Sequence, residues 1–583
     1  MNQSRSVPVI LRKIIVVGLW LLPALCAFYM MVKHWVPVPY WDEWDAPGEQ
    51  LAAYYRGTLR FAELFRQHNE SRSFFPRLLY LPISIVAGWD VRRFMLATFL
   101  LALAGALGLY RLVRQTAGSS RGAPWICVAM NLLLFSPREY ENFFYGLMGE
   151  AFTPAVALIF ALSMNLSGRS LKAKTLVNAS LAFVANYTFA NGMLIWLLAF
   201  PLETKASDGT RDTAPPWRWR VIYLVLAVAS VAGYLISYRH PPVTPPFVSP
   251  FARLPAFLNF VLVWLGSLFT TGAPAICGAV ILFLFVGLAV LAIGQLRRTG
   301  AWRSHYPWLV LGSYVLISSC VVAMGRLGFD YSMAGDSRYT ASSVFLYIAV
   351  LGLGFSVYRQ AGTRPLIRPI LSSAAAIFLI VLLTFWAITF KKERDLLGIL
   401  TPAREHSLLV LRWSEAIPQN PEIALLSPYP VASVVSTIHT LAQNDGFRPR
   451  LVSQALGNIV NQRPDTDAST AGVLEGARYE AGQLVFEGWA LGSGDARPAS
   501  CVVLGFEMPN GAWKPFCVVE TGGNRPDVAG KLGITALARV GFSGRLDATG
   551  VPSGELTMKG WAIDLQHERA FPLSGAIKLP PRN

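Results

Sequence analysis

The sequence predicts a polytopic α-helical membrane domain followed by a small mixed linker and a C-terminal all-β sandwich. Three observations carry this expectation. The 583-residue chain is 53% hydrophobic and only 15% charged, with a mean hydropathy of +0.42, too apolar for a soluble protein of its length. Nearly uncharged runs of about 18 residues or more, the length needed to cross a bilayer, recur as far as Phe390. From about residue 472 the pattern changes to short alternating segments separated by Gly, Pro, Asn and Asp, as in a sandwich of antiparallel strands. The expected organisation is a membrane domain over 1–390, a helical and mixed linker over 391–471, and a β-sandwich over 472–583.

The first apolar run, "VPVILRKIIVVGLWLLPALCAFYMMV", has basic residues before and within its start, as a signal peptide would. It is longer than a signal h-region and no small-x-small site closes it, so it reads as an uncleaved first helix. A net charge of +17 would suggest nucleic acid in a soluble chain. Here Lys and Arg sit in short loops between apolar runs, where positive-inside topology accounts for them, so no nucleic-acid partner is expected.

Arg5, Arg12 and Lys13 hold the N-terminus in the cytoplasm. The basic loops at 111–122, 167–174, 203–220, 297–305 and 358–368 then all face the cytoplasm on one condition. The apolar stretches at 74–89 and 257–272 must stay interfacial or re-entrant on the outer side rather than cross. About eleven spans result, with the tail periplasmic and the whole in a bacterial inner membrane. Acidic residues of the membrane domain collect on the outer face, with only Glu203, Asp208 and Asp212 in a cytoplasmic loop. Orientation rules do not require this, because Asp and Glu contribute little to topology.

The outer acids start where the first helix leaves the membrane, in "VPVPYWDEWDAP", with Asp42, Glu43 and Asp45 interleaved with Trp41 and Trp44. An aromatic belt with solvated acids is the plain reading of such a stretch. The following residues, 49–69, read as amphipathic helical material suited to a bilayer surface. They end in "QHNESRSFFPR", which returns His68, Asn69, Glu70, Arg72 and Arg77 to the interface, and "SPREYENFFYG" adds Glu139, Glu141 and Asn142. "GDSRYT" places Arg338 at the outer start of an otherwise apolar helix, at headgroup depth, where snorkelling is the alternative to a ligand contact. Carboxylates and cations from separate helices are thus expected on one outer rim.

Such a rim suits transfer of a sugar from a polyprenyl phosphate to a hydroxyl acceptor. A carboxylate takes the acceptor proton, for which Asp42 or Asp45 is suited, and cations neutralise the departing lipid phosphate, for which Arg72, Arg77 and Arg338 are suited. His68, Asn69, Glu70, Glu139, Glu141 and Asn142 are then candidates to bind acceptor or sugar.

The pieces "YWDEWD", "HNESR", "YTFANGM" and "GDSRY", with a long first outer loop and a large soluble C-terminal domain, resemble the GT-C superfamily of polyprenyl-phosphate-sugar glycosyltransferases. Within it the chain is most similar to the bacterial RgtA/B/C/D-like and arabinosyltransferase-like enzymes, over roughly residues 7 to 390. The resemblance implies a GT-C-like catalytic domain with a first-loop Asp as general base, carried here onto Asp42 or Asp45. Three acids are offered, so Glu43 stays a candidate. Some relatives hold a divalent cation between acids of the first two outer loops, which would fall on Asp42 and Glu141. The implied partners are a polyprenyl-phosphate-linked sugar, a periplasmic glycan, lipid or protein acceptor, and membrane lipids.

Other polar positions have simpler readings. His240, which with Arg239 could bind phosphate, reads rather as a solvated helix end, and Asn191 and Gly192 as a break between two short apolar segments rather than a ligand contact. No Walker loop, dinucleotide fingerprint or Ser/His/Asp constellation is visible, which agrees with a lipid-linked donor. In the tail, 391–417 has helical periodicity, "EIALLSPYP" reads as a strand and "VASVVSTIHTLAQNDG" as a helix closed by Gly446. Cys501 and Cys517 flank a hairpin turning at Asn510 and Gly511 and are either bridged or free; the other four cysteines read as small core residues. Trp489, Trp513 and Trp561 are core residues or sugar-stacking platforms.

A flippase or transporter for lipid-linked saccharides is the rival from another class. It would carry polar residues near the middle of its spans, and often internal repeats, whereas these acids cluster at helix ends. Polymerase or ligase activity on lipid-linked glycans is a neighbouring enzyme reading. The topology is testable: reporter fusions after Arg121 and Arg169 should both report cytoplasm, and an external signal at either would overturn this arrangement.

Overall fold

The computed structural model describes residues 6–118, 120–203, 215–242, 244–269, 273–299, 302–329, 331–361, 367–427, 430–465, 471–492, 497–533 and 538–581. Asp208 and Asp212 lie outside them. The helices are, in chain order, α1 (Ser6–His34), α2 (Gln50–Tyr55), α3 (Phe74–Ala87), α4 (Arg92–Ala117), α5 (Ala123–Leu134), α6 (Tyr140–Phe144), α7 (Gly149–Leu166), α8 (Leu171–Asn186), α9 (Leu194–Leu198), α10 (Pro216–Leu235), α11 (Leu254–Leu265) and α12 (Pro274–Thr299). They continue with α13 (Trp302–Arg326), α14 (Thr340–Gln360), α15 (Ile367–Arg412), α16 (Val431–Gln443), α17 (Gln454–Val460) and α18 (Pro526–Leu532). The chain divides into two compact units: Met1–Trp35, Arg60–Pro82 and Val91–Gly398 form one; Val36–Leu59, Ile83–Asp90 and Ile399–Asn583 form the other.

Among the described residues of the chain, eight helices are long and apolar enough to cross a membrane: α1, α4, α7, α10, α12, α13, α14 and α15. So many such helices mark a multi-pass membrane protein. In the first unit α14 is buried along most of its length, whereas α1, α10, α12 and α15 present Leu25, Val228, Phe283 and Ile380 outward, side chains suited to lipid. The apolar stretches that the charge pattern kept from crossing form α3 and α11, of only 14 and 12 residues. The sequence "FANGM" does break the chain: α8 ends at Asn186, a 3-10 turn covers Ala190–Met193, and α9 follows. Gly192 is required there, because a Cβ would fall 1.9 Å from the Ala185 carbonyl oxygen.

The expected amphipathic helix over 49–69 is interrupted. It resolves into α2, a turn in which Gly57 has φ 69°, and a 3-10 turn over Phe61–Phe65. α2 and the acidic stretch before it belong to the second unit, with the tail.

That unit ends in two antiparallel sheets. β1 (Gly472–Glu480), β2 (Gln483–Ala490) and β5 (Gly541–Asp547) form the first in the order β1-β2-β5. β3 (Cys501–Glu507), β4 (Trp513–Glu520), β6 (Leu556–Asp564) and β7 (Arg569–Pro572) form the second in the order β4-β3-β6-β7, with β8 (Ile577–Leu579) also beside β6. Leu484, Phe486 and Phe542 of the first sheet share one buried core with Val502, Phe506 and Met558 of the second. The echoing "FEGWAL" and "MKGWAID" lie on β2 and β6, each an inner strand of its own sheet. The β3–β4 hairpin turns at Asn510 and Gly511, but Cys517 faces Leu504 while Cys501 faces Glu520, and both thiols are free and buried. Burial pushes the Cys501 thiol up to about 12. Trp513 and Trp561 turn their indole N–H groups to the carbonyls of Val460 and Gln462, at 2.9 and 3.3 Å, tying the end of α17 to the second sheet.

One segment of the linker differs from expectation. The described part of "EIALLSPYP" forms no strand; Pro421–Leu425 is a 3-10 turn, capped by Asn420, whose Oδ1 accepts from the Glu422 N–H at 3.0 Å. Asn followed by Pro is turn chemistry, and it outweighs the apolar run. α16 itself ends at Gln443, and Gly446 closes the turn that follows, its N–H donating to the Leu441 carbonyl at 2.7 Å.

The acidic stretch is held to this linker by aromatic packing. Trp44 meets Trp89 edge to face at 5.3 Å, and the Trp89 N–H donates to the Gly446 carbonyl at 2.7 Å. A Cβ on Gly446 would lie 2.6 Å from the Tyr55 ring. Trp89 is fully buried, so Trp89→Ala should cost about 3–5 kcal/mol of unfolding free energy. Chemical denaturation of the purified protein measures this, and an unchanged midpoint would show that the acidic stretch is held by something else.

Candidate functional site

The acid turn is built from residue 40 onward. Tyr40 is extended, Trp41 takes the left-handed conformation with φ 50°, and Trp41–Trp44 form a 3-10 turn followed by a wider turn over Asp45–Glu49. A non-glycine residue in that region is strained and persists only where its surroundings hold it. Here they do: the Trp41 N–H donates to the Leu426 carbonyl at 3.1 Å, and Arg404 reaches the Val38 carbonyl at 3.3 Å. The three acids then separate. Glu43 is buried and its Oε2 accepts from the Tyr40 N–H at 2.8 Å, so it closes the turn on itself. Asp42 and Asp45 are half-buried on these two successive turns.

In the membrane unit the polar groups gather at the ends of helices. "SPREYENFF" starts as a capped helix should, with the Ser136 hydroxyl accepting from the Arg138 N–H at 3.3 Å and Pro137 in the first position. This aims Arg138 and Glu139 inward. Arg138 bridges three other segments, pairing with Glu393 of α15 at 3.3 Å and donating to the carbonyls of Gly335 at 2.7 Å and Ser267 at 3.4 Å. Glu139 accepts from Asn142 Nδ2 at 2.7 Å, and the same amide donates to the Ser337 carbonyl at 3.0 Å. Full burial pushes the Glu139 carboxyl up to about 8, against the pull of its hydrogen bonds from Thr340 and Asn142 and of the Arg138 charge. It is therefore largely a neutral acid at neutral pH.

One turn along, Glu141 Oε2 accepts from the Ser337 hydroxyl at 2.5 Å and from the Arg338 N–H at 2.8 Å. This grip fixes the 3-10 turn Ser337–Tyr339 and leaves the Arg338 guanidinium partly exposed, against Asp336 at 2.7 Å. Burial raises the Asp336 carboxyl and the Arg338 charge opposes that rise. A second pair, Glu70 with Arg326 at 2.7 Å, sits at the end of α13, and the charges of both pairs reach Tyr339.

The expected residues thus separate into groups. Glu139, Glu141, Asn142 and Arg338 are brought together. His68, Asn69 and Glu70 form a tight turn, closed by paired hydrogen bonds between His68 and Ser71, with Asn69 at φ 47°. Arg72 donates to the carbonyls of Tyr234, Phe65 and Ile236, and buried Arg77 to those of Leu64 and Arg66. Both guanidiniums finish broken backbone turns, a structural use that competes with binding phosphate. Asp42, Glu43 and Asp45 belong to the other unit. Sequence reasoning missed Arg138, Glu393 and Arg326. Arg138 stood inside a motif already quoted, and Glu393 was hidden in the charged run "KKERD".

Among the described residues no group of three His, Cys, Asp or Glu side chains is placed to hold a metal ion. Glu141 fits a cation poorly, since its Oε2 is taken by two hydrogen-bond donors. Comparison with protein-family models, with curated proteins and with solved structures gives no match.

Glu139 yields a pH test. A carboxyl raised from 4.5 to about 8 supports the fold fully below 4.5, and that support is lost as pH rises toward 8. Thermal unfolding of the purified protein should show declining stability across this window, and Glu139→Gln should flatten the decline. An identical slope in the variant would mean that the carboxyl does not titrate in this way.

Proposed function

We propose that this chain is a membrane glycosyltransferase of GT-C type, moving a sugar from a polyprenyl-phosphate donor to a periplasmic glycan, lipid or protein acceptor. In this reading the membrane is a bacterial inner membrane, the N-terminus and basic loops are cytoplasmic, and the β domain is periplasmic. The short α5 and α8, with the return of the chain through Ala190–Leu198, would join the eight long helices as crossings, giving about eleven, an odd number that puts the two ends on opposite faces.

The observation that carries the reading is the chain's partly exposed ion pairing at helix ends. Arg338 against Asp336 and Arg326 against Glu70 stand where long apolar helices begin and end, the depth at which a lipid phosphate lies. A phosphate entering there meets guanidiniums already fixed in place, and pre-fixed charge needs no reorganisation as the leaving group develops its own. Asp42 and Asp45 supply the second requirement, half-buried carboxylates on a rigid turn. One of them takes the proton of the acceptor hydroxyl. The acceptor oxygen forms the new bond to the anomeric carbon, the bond from that carbon to the phosphate oxygen breaks, and the polyprenyl phosphate leaves with the bonding pair. Glu43, spent on closing the turn, is not assigned to the chemistry.

The test is reconstitution in vesicles with labelled polyprenyl-phosphate sugars. Wild type should transfer label, Asp42→Asn or Asp45→Asn should lower turnover by about 10²–10⁴-fold, and Glu43→Gln should act on stability instead. Wild-type vesicles that transfer nothing from any lipid donor, yet carry lipid-linked glycans across the bilayer, would overturn the enzyme in favour of a flippase.

A further inference from the structure

We propose that the groove between the 3-10 turn Pro421–Leu425 and α16 binds a neutral, hydroxyl-rich glycan chain and holds it as acceptor; the second half of this proposal rests on the glycosyltransferase reading, the first does not. The groove has a volume of about 830 Å³, within the range of built ligand sites. Six polar side chains line it: Gln419, Asn420, Ser436, His439, Thr440 and Gln443. The remaining wall is Pro, Ala and Val, with no acid, lysine or arginine among the described lining residues. The exposed Arg56 reaches only its edge, donating to the Thr440 hydroxyl at 3.4 Å.

This chemistry selects against charged and against greasy ligands. A polyanion would find no counter-charge in the wall, and an apolar chain would cover donors and acceptors without satisfying them. Two of the six carry a buried atom without a partner among the described residues. Asn420 is 1% exposed, its Oδ1 is used in capping, and its Nδ2 has no acceptor among the described residues. His439 Nε2, on the opposite wall, is likewise buried without a partner there. Those two atoms are shut off from the groove surface, whereas Ser436 and Gln443 are exposed on it, and a run of sugar hydroxyls, each both donor and acceptor, matches such groups. Pro and Val faces suit the C–H faces of a sugar ring.

The groove is also tied to the acid turn within one unit. Leu426, which caps the wall turn, accepts from the Trp41 N–H at 3.1 Å, directly beside Asp42, and Tyr55 of α2 packs on Gly446 just beyond α16. A glycan seated in the groove is therefore held by the same framework that orients the proposed base.

The experiment takes the full chain in nanodiscs and an array of neutral glucans, mannans, galactans and arabinans, with acidic glycans and phosphatidylglycerol vesicles alongside. Wild type should bind at least one neutral glycan, and Gln443→Ala and Ser436→Trp, both at exposed positions that leave the fold intact, should each weaken binding about tenfold or more. Binding of acidic glycans or vesicles alone, no binding, or unchanged binding in both variants would overturn the groove proposal. Where transfer is measurable, the two variants should raise acceptor KM and leave kcat near wild type, whereas an unchanged KM would sink the acceptor role and leave the glycosyltransferase reading standing. Groove-dependent glycan binding without transfer from any lipid donor would do the reverse.

Discussion

A guanidinium buried in an apolar unit must be paid for by its partners, and Arg138 is the group on which the polar end of the membrane unit depends. It joins α15 through Glu393, the turn before α14 through Gly335, and the end of α11 through Ser267. Removing one partner of such a pair leaves an uncompensated buried charge, which is far costlier than never having had the pair. The helices that meet here are consequently fixed in register, and the finer contacts follow. Glu139 and Asn142 sit one turn away and Glu141 grips the Ser337–Tyr339 turn, so that Arg338 arrives at the surface in a single orientation.

In the second unit aromatic burial has the same organising role. The tryptophans of "YWDEWD" divide the work: Trp44 is buried against Trp89, while Trp41 stays exposed and lends its backbone N–H to Leu426. Between them Asp42 is left at a half-buried position on a backbone that has little freedom. The β-sheets provide the large core, and the linker helices provide the framework on which the acid turn lies.

Much of the coarse plan was legible because it follows from hydropathy and period. The long apolar helices, the strands of the tail, the hairpin at Asn510 and Gly511 and the break at Gly192 all have local causes. What was not legible has non-local causes. The separation of Glu43 from Asp42 and Asp45 depends on Trp89, Leu426 and Arg404, which are distant in sequence. Arg72 and Arg77 look available in "ESRSFFPR", but broken turns elsewhere in the unit leave carbonyls that need donors, and these two arginines satisfy them. Pro421–Leu425 is the local exception: Asn420 caps and Pro421 opens a 3-10 turn, and that signal outweighs the apolar run beside it. Glu393 could not be singled out, since only folding brings it to Arg138.

The crowding at Gly446 bears on the order of assembly. Tyr55, Trp89 and Gly446 converge where no side chain fits, yet ribosomes deliver Gly446 about 400 residues after the acid turn. Until α16 has emerged, the early acidic segment lacks the surface that gives it its shape. The first loop to be translated after α1 is thus among the last parts to mature, and a chain truncated before α16 would carry every acid of that loop without the means to arrange them.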